Sequence, residues 1–110
     1  MSRAAKLDTT LAALADPARR RIVELLRKEP RRAGELADAL DLPPPALSRH
    51  LRHLKEGGLI EEHHPPFDAR VRIYSLKAGA MDHLKNWVAD TEAMWSAQLA
   101  AFKRHVEKKS

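Results

Sequence analysis

Apolar residues recur at helical spacing along most of the chain, and prolines and glycines cut that pattern into pieces. Leu7, Leu11 and Leu14 share one face of a predicted first helix that runs from Leu7 to Ala15. Asp16 then stands as the cap of a second helix, with Pro17 at its first position, where a missing N–H costs nothing. Ala18, Ile22, Leu25 and Leu26 make its inner stripe. Arg20, Glu24 and Lys28 run at i, i+4 spacing along the outer side, and Pro30 stops the helix. A third helix, Ala33 to Leu40, turns Leu36, Ala37 and Leu40 inward. Asp41-Leu42-Pro43 connects it tightly to a fourth, from about Pro44 to Glu56, which Gly57 ends as a left-handed cap. Pro45 pushes the residue before it away from the α region, so this helix starts at Pro44 or at Pro45.

After Gly57-Gly58 the period changes. Leu59 to His64 and Arg70 to Leu76 read as strands, joined by Pro65-Pro66-Phe67-Asp68-Ala69 into a two-stranded ribbon. In the second strand Val71, Ile73 and Ser75 alternate with Arg70, Arg72 and Tyr74. Helical spacing returns from Ala80 to about Val106. A helix of that length spans about 40 Å, whereas a compact domain of this size has a radius of gyration of roughly 13 Å. Its own domain cannot cover it, and a second copy of the chain is the expected partner. Met81, Leu84, Val88, Trp95, Leu99, Phe102 and Val106 form one apolar row, and Trp87, Met94 and Ala101 a shorter one beside it. The polar side mixes Asp82, Asp90 and Glu92 with Lys85, which argues against a helix lying on a membrane surface. The dimer contacts expected are Leu7, Leu11, Leu84, Val88, Trp95, Leu99 and Phe102.

Composition narrows the partner. The chain has 110 residues, with 20 Lys and Arg against 15 Asp and Glu, a net charge of +5. That length suits one domain, 1–110, and the basic balance suits a polyanion. Aromatic residues make up only 5%, too few for a surface that stacks single-stranded bases. There is no cysteine, which removes disulfides, zinc ribbons and thiol catalysis together. No apolar run approaches the roughly 18 residues of a membrane span, and no signal-peptide pattern opens the chain, so a cytoplasmic protein without membrane contact is expected.

Catalysis finds no support. The chain lacks a glycine-rich phosphate loop and any local motif for a Ser/His/Asp arrangement, and Asp16 and Asp68 read as a cap and a turn residue. No enzyme is expected. Among the six histidines, His63 and His64 are strand neighbours and point to opposite faces. His50 and His53 are three apart on a helix, a spacing that can hold a transition metal, yet Glu56 is the only candidate third ligand. The expectation is no metal and no cofactor.

The order helix, short turn, helix over about 33–56, followed by a ribbon over about 59–76, is that of a winged helix-turn-helix: mainly α with a small β-ribbon. At 100° per residue, Leu47, Leu51 and Leu54 of the fourth helix cluster on the core side. The opposite face carries Pro45, Ser48, Arg49, Arg52 and Glu56, with His50 and His53 on the flank. Arginine there can grip a guanine edge or a phosphate, and serine can donate to either. The expected DNA contacts are therefore Pro44, Pro45, Ser48, Arg49, His50 and Arg52 from the helix, and Arg70 and Arg72 from the ribbon tip.

Four segments, in order, resemble the ArsR-type winged-helix transcriptional regulators. Leu14 to Ile22, LADPARRRI, is similar to the family's opening "LADPTRRxIL", and Gly34-Glu35-Leu36-Ala37 to its "xELA". Ala46 to Leu51, ALSRHL, with Leu54 and Gly57-Gly58-Leu59-Ile60, resembles "AVSRHLxxLxxAGLV". Asp68 to Leu76, DARVRIYSL, resembles "DGRxRxYxL". The resemblance covers nearly the whole chain. It implies a homodimeric repressor on a palindromic, double-stranded DNA operator, released by a signal whose chemistry is unknown. The chain departs from the metal-sensing members. Arg32 to Ala37 holds no cysteine, Asp82 and His83 are adjacent where a "DxH" pair is expected, and His105 lacks a second ligand. A further departure is Pro43-Pro44-Pro45, where the family has a capping serine and a base-reading glutamine. Two alternatives stand beside the repressor: a metal-responsive repressor with histidine ligands, and a winged-helix module that binds protein.

Overall fold

The computed structural model describes residues 2–109, which form five helices and three short strands. Helix α1 spans Arg3–Ala13, α2 Pro17–Lys28, α3 Ala33–Leu40, α4 Pro44–Glu56 and α5 Asp82–Lys109; strands are β1 Arg31–Arg32, β2 Ile60–His63 and β3 Ile73–Leu76. The helices and the wing follow in the order expected, with three corrections in detail.

The first concerns α1, which is shifted toward the N-terminus. Ser2 caps it by accepting from the Ala5 N–H at 3.1 Å, and it ends at Ala13 rather than Ala15. Its buried face is Thr10 and Ala13, whereas Leu11 is exposed and Leu7 and Leu14 are half-buried. Thr10 tolerates burial because its hydroxyl donates to the Lys6 carbonyl. The α1–α2 corner explains the LADPARR segment. Asp16 Oδ1 accepts from the backbone N–H of Ala18 at 2.8 Å and Arg19 at 3.3 Å. Arg19 donates from Nε to the Ala13 carbonyl at 2.7 Å, and Arg20 to the Leu14 carbonyl at 2.7 Å. One motif thus satisfies orphan donors of α2 and orphan acceptors of α1. Arg20 serves this corner as well as the outer row assigned to it by spacing.

The second correction is at the end of α4. Gly57 is right-handed, at φ −75°, and the left-handed residue is Gly58, at φ 74°. Leu59 N–H donates to the Leu54 carbonyl and Gly58 N–H to the Lys55 carbonyl, both at 3.0 Å. This is the paired hydrogen-bond pattern of a Schellman ending, one residue later than the first glycine suggests. Gly57 is small for another reason: a Cβ there would lie 3.1 Å from that of Ala13. The α3–α4 turn uses Asp41 at φ 52°, a conformation aspartate tolerates. Helix α4 begins at Pro44, with Pro43 as an extended cap that offers no side-chain bond.

The third correction is the sheet. It has three antiparallel strands in the order β1-β3-β2, because Arg31 and Arg32 pair with Tyr74 and Ile73. The wing strands are shorter than expected, and Arg70 and Arg72 precede β3 rather than lie within it. On β3 the buried side chain is Tyr74, while Ile73 and Ser75 are half-buried. One core joins Ile22, Val23 and Leu26 of α2, Leu36 and Leu40 of α3, Leu47, Leu51 and Leu54 of α4, and Leu59, Ile60 and Tyr74. Val23 takes the place expected for Leu25 and Ala18, which are half-buried.

Candidate nucleic-acid interface

The buried row of Leu47, Leu51 and Leu54 fixes the rotation of α4 about its axis, and Leu54 is wholly inaccessible to solvent. Fixing that row turns Pro44, Pro45, Ser48, Arg49 and Arg52 outward, and all five are exposed. Among the described residues neither arginine is paired with a carboxylate. His50 differs from its expected neighbours. It is half-buried on the flank toward the α2 cap, its Nδ1 lies buried without a hydrogen-bond partner among the described residues, and its charge acts on Asp16. Burial pushes the Asp16 carboxyl up. The N–H bonds from Arg19 and Ala18, with the charges of His50 and Arg19, outweigh it and hold the group below its ordinary value.

Beyond the shared core, one carboxylate ties the polar edge of the wing to α4. Glu62 on β2 accepts from Lys55 Nζ at 2.8 Å through Oε2, and from the Tyr74 hydroxyl at 3.2 Å through Oε1. Arg72 Nε lies 3.5 Å from the same Oε1. The Lys55 hydrogen bond holds Glu62 below the usual carboxylate range against its partial burial, with help from the charge of Lys55, the Tyr74 hydroxyl and Arg72. The reciprocal bond raises Lys55. Burial raises Tyr74, and the Glu62 charge adds to that. Of this cluster only Arg72 is among the expected site residues; Lys55, Glu62 and Tyr74 are not. The two-residue alternation puts Arg72 and Tyr74 on one side, but the register that sets Tyr74 opposite Glu62 comes only from strand pairing.

At the tip, the side chain of Arg70 is 93% exposed, and its Nε lies 3.3 Å from Asp68 Oδ1. Asp68 also accepts from the Arg70 backbone N–H at 3.0 Å, which fixes the turn. Phe67 projects beside it, 83% exposed. His64 Nδ1 closes the base of the tip on the Val71 carbonyl at 3.1 Å.

A helix-turn-helix domain family matches residues 14–63, which run from the α1–α2 corner to the end of β2. An HTH-type transcriptional regulator of Mycobacterium tuberculosis, Rv2034, is 34% identical over 100 residues, covering 91% of this chain and 88% of its own. The transcriptional repressor SdpR of Bacillus subtilis is 29% identical over 82 residues, 74% of this chain and 88% of its own. A solved ArsR-like transcriptional regulator from Rhodococcus sp. RHA1 superposes with a TM-score of 0.76 at 28% identity, covering 91% of this chain and 92% of that one. The chain belongs to the ArsR-type helix-turn-helix transcriptional regulators. It is a DNA-binding regulator and not an enzyme.

In this ArsR-type chain the surface beyond the helix-turn-helix is dominated by α5. Among its expected contacts, Val88, Trp95, Leu99 and Phe102 are exposed and Leu84 is half-buried. Trp95 is 65% and Phe102 66% accessible. Leu7 of α1 and Trp87 of α5 line a cleft of about 400 Å³ between the two helices. Of the described residues, no three His, Asp or Glu come together to hold a metal ion, and no helix is long and apolar enough to cross a membrane.

Proposed function

We propose that this ArsR-type regulator is a homodimeric repressor, a cytoplasmic protein that reads a palindromic operator with α4 in the major groove. The observation that carries the reading is the outer face of α4. It presents Ser48, Arg49 and Arg52 to solvent, on a helix whose opposite side is locked by three buried leucines. Unpaired guanidinium groups on a rigid helix suit bidentate contact with guanine or a grip on phosphate. Pro44 and Pro45 lie at the groove-facing start and offer shape without donors. Arg70 brings the wing tip to the adjoining backbone or minor groove, while Arg72 is drawn back onto Glu62, and His50 reaches for phosphate from the flank of α4. The partner copy covers α1 and α5 through Leu7, Leu11, Leu84, Val88, Trp95, Leu99 and Phe102. The unit is one winged-helix domain, 1–110, with dimerisation helices at both ends. The repressor role draws support from the similarity to the Bacillus subtilis repressor.

The direct test is selection of bound duplexes from a random pool by the purified chain. An inverted repeat should emerge with half-site centres about 34 Å apart, one helical turn, or a multiple of that. Recovery of unrelated duplexes with no shared half-site would overturn the reading.

A further inference from the structure

Glu62 is out of place on a surface that meets DNA. A carboxylate there repels phosphate, yet this one lies in the cleft of about 360 Å³ between α4 and the wing, lined by Ser48, Arg52, Lys55, Glu62, Arg72 and Tyr74. It is not a stray surface acid. Its side chain is only 17% exposed, and it holds three partners drawn from both sides of the cleft: Lys55 from α4, and Arg72 and Tyr74 from the wing. The Lys and Arg side chains of α4 and the wing divide into two sets. Arg49 and Arg52 project unpaired from the middle of α4, and Arg70 stands out at the wing tip. Lys55 and Arg72 are turned back onto one carboxylate.

We propose that Glu62 is a specificity-setting, positioning residue: it occupies Lys55 and Arg72, so that these two cations do not serve as indiscriminate phosphate ligands, and it fixes the wing against α4. This rests on the reading of α4 as the recognition helix. Sequence-independent affinity comes from cations that meet phosphate, whereas sequence choice comes from the few groups aimed at base edges. Holding two cations on one carboxylate, which offsets one of their two charges, lowers the first without touching the second. The Tyr74 hydroxyl, part of the cleft lining, donates to Glu62 Oε1 and holds the carboxylate in place.

The experiment uses the full chain and its Glu62→Gln variant. Binding to the selected operator and to a random-sequence duplex of equal length is followed against salt concentration. Glutamine keeps the size of the side chain and one acceptor for Tyr74, but releases the cations. Affinity of the variant for the random duplex should rise on the order of tenfold at low salt. Its log–log salt slope should steepen by one to about two units per protomer, at about 0.9 for each cation that reaches a phosphate. The ratio of operator to random affinity should fall. A purely structural role would instead weaken both duplexes alike and leave the slope unchanged, and that result, or no change at all, overturns the inference. Lys55→Ala in the parent background tests it independently of how the glutamine variant folds. It should leave the random-duplex slope nearly as it was, because that ammonium is already held by Glu62, and a slope flattened by about 0.9 would overturn the proposal. If the parent itself binds no duplex, the recognition-helix reading fails first; if the parent binds and only these variants disobey, that reading stands and the Glu62 proposal falls.

Discussion

At the scale of single residues, the α1–α2 corner shows what a short polar segment does. Asp16 closes the start of α2, and Arg19 and Arg20 close the end of α1. Loss of a cap of this kind weakens a helix measurably. Asp16→Ala should lower the melting temperature at neutral pH by on the order of 5 °C. The Asp16 carboxyl is held below its ordinary value, so its contribution is present above that value and fades as the pH falls through the folded pKa. The gap between parent and variant in thermal melts should therefore narrow in acid; a gap of constant size would contradict the capping role. The cap itself was legible in the sequence, since Asp-Pro before a helical stripe is a local signal. The reach of Arg19 and Arg20 to the preceding helix was not, because it depends on how two helices meet. Nor was the choice between Gly57 and Gly58: both permit a left-handed turn, and the approach of Ala13 to Gly57 is a tertiary fact.

At the scale of elements, the helices and their inward faces follow from apolar spacing wherever one face alone is buried. The leucine row of α4 is the clearest case: it is buried as expected, and it turns Ser48, Arg49 and Arg52 to solvent. Strand β1 and the buried face of α1 escaped for physical reasons. Strand β1 is two arginines with no apolar alternation, and it exists only because β3 offers it an edge. In α1 the apolar row is only partly covered: Leu14 packs against the core, Leu7 is half-buried and Leu11 is exposed, while the fully buried positions are a threonine and an alanine. The site divides the same way. The exposed positions Ser48, Arg49 and Arg52 were readable from one helix, whereas the Lys55–Glu62–Arg72 cluster joins α4, β2 and the segment before β3, and no local period predicts it.

At the scale of the whole molecule, α5 sets the shape. Its 28 residues extend about 42 Å at 1.5 Å each. The chain measures 71 × 30 × 21 Å, with a radius of gyration of 19.5 Å against the roughly 13 Å of a compact domain. A helix that projects with Trp95, Leu99 and Phe102 exposed leaves apolar area for a second copy to cover. Sedimentation of the parent at micromolar concentration should show a dimer. Trp95→Glu places a charge in that seam and should raise the dimer dissociation constant by roughly a hundredfold or more. A parent chain that sediments as a monomer would refute the dimer, and an unaffected variant would remove Trp95 from its interface. In the proposed dimer two recognition helices, one from each copy, would make an inverted repeat the expected site.

The central claim is that the outer face of α4 binds duplex DNA, and it is tested most directly by a salt titration of the double variant Arg49→Ala/Arg52→Ala on the selected operator. Both side chains are exposed, so the fold should persist and its melting temperature should stay within a few degrees of the parent. Operator affinity should fall roughly 10- to 100-fold, and the log–log salt slope should flatten by about 0.9 for each phosphate that no longer meets a guanidinium. A folded double variant that binds the operator with the parent's affinity and the parent's salt slope would contradict the claim.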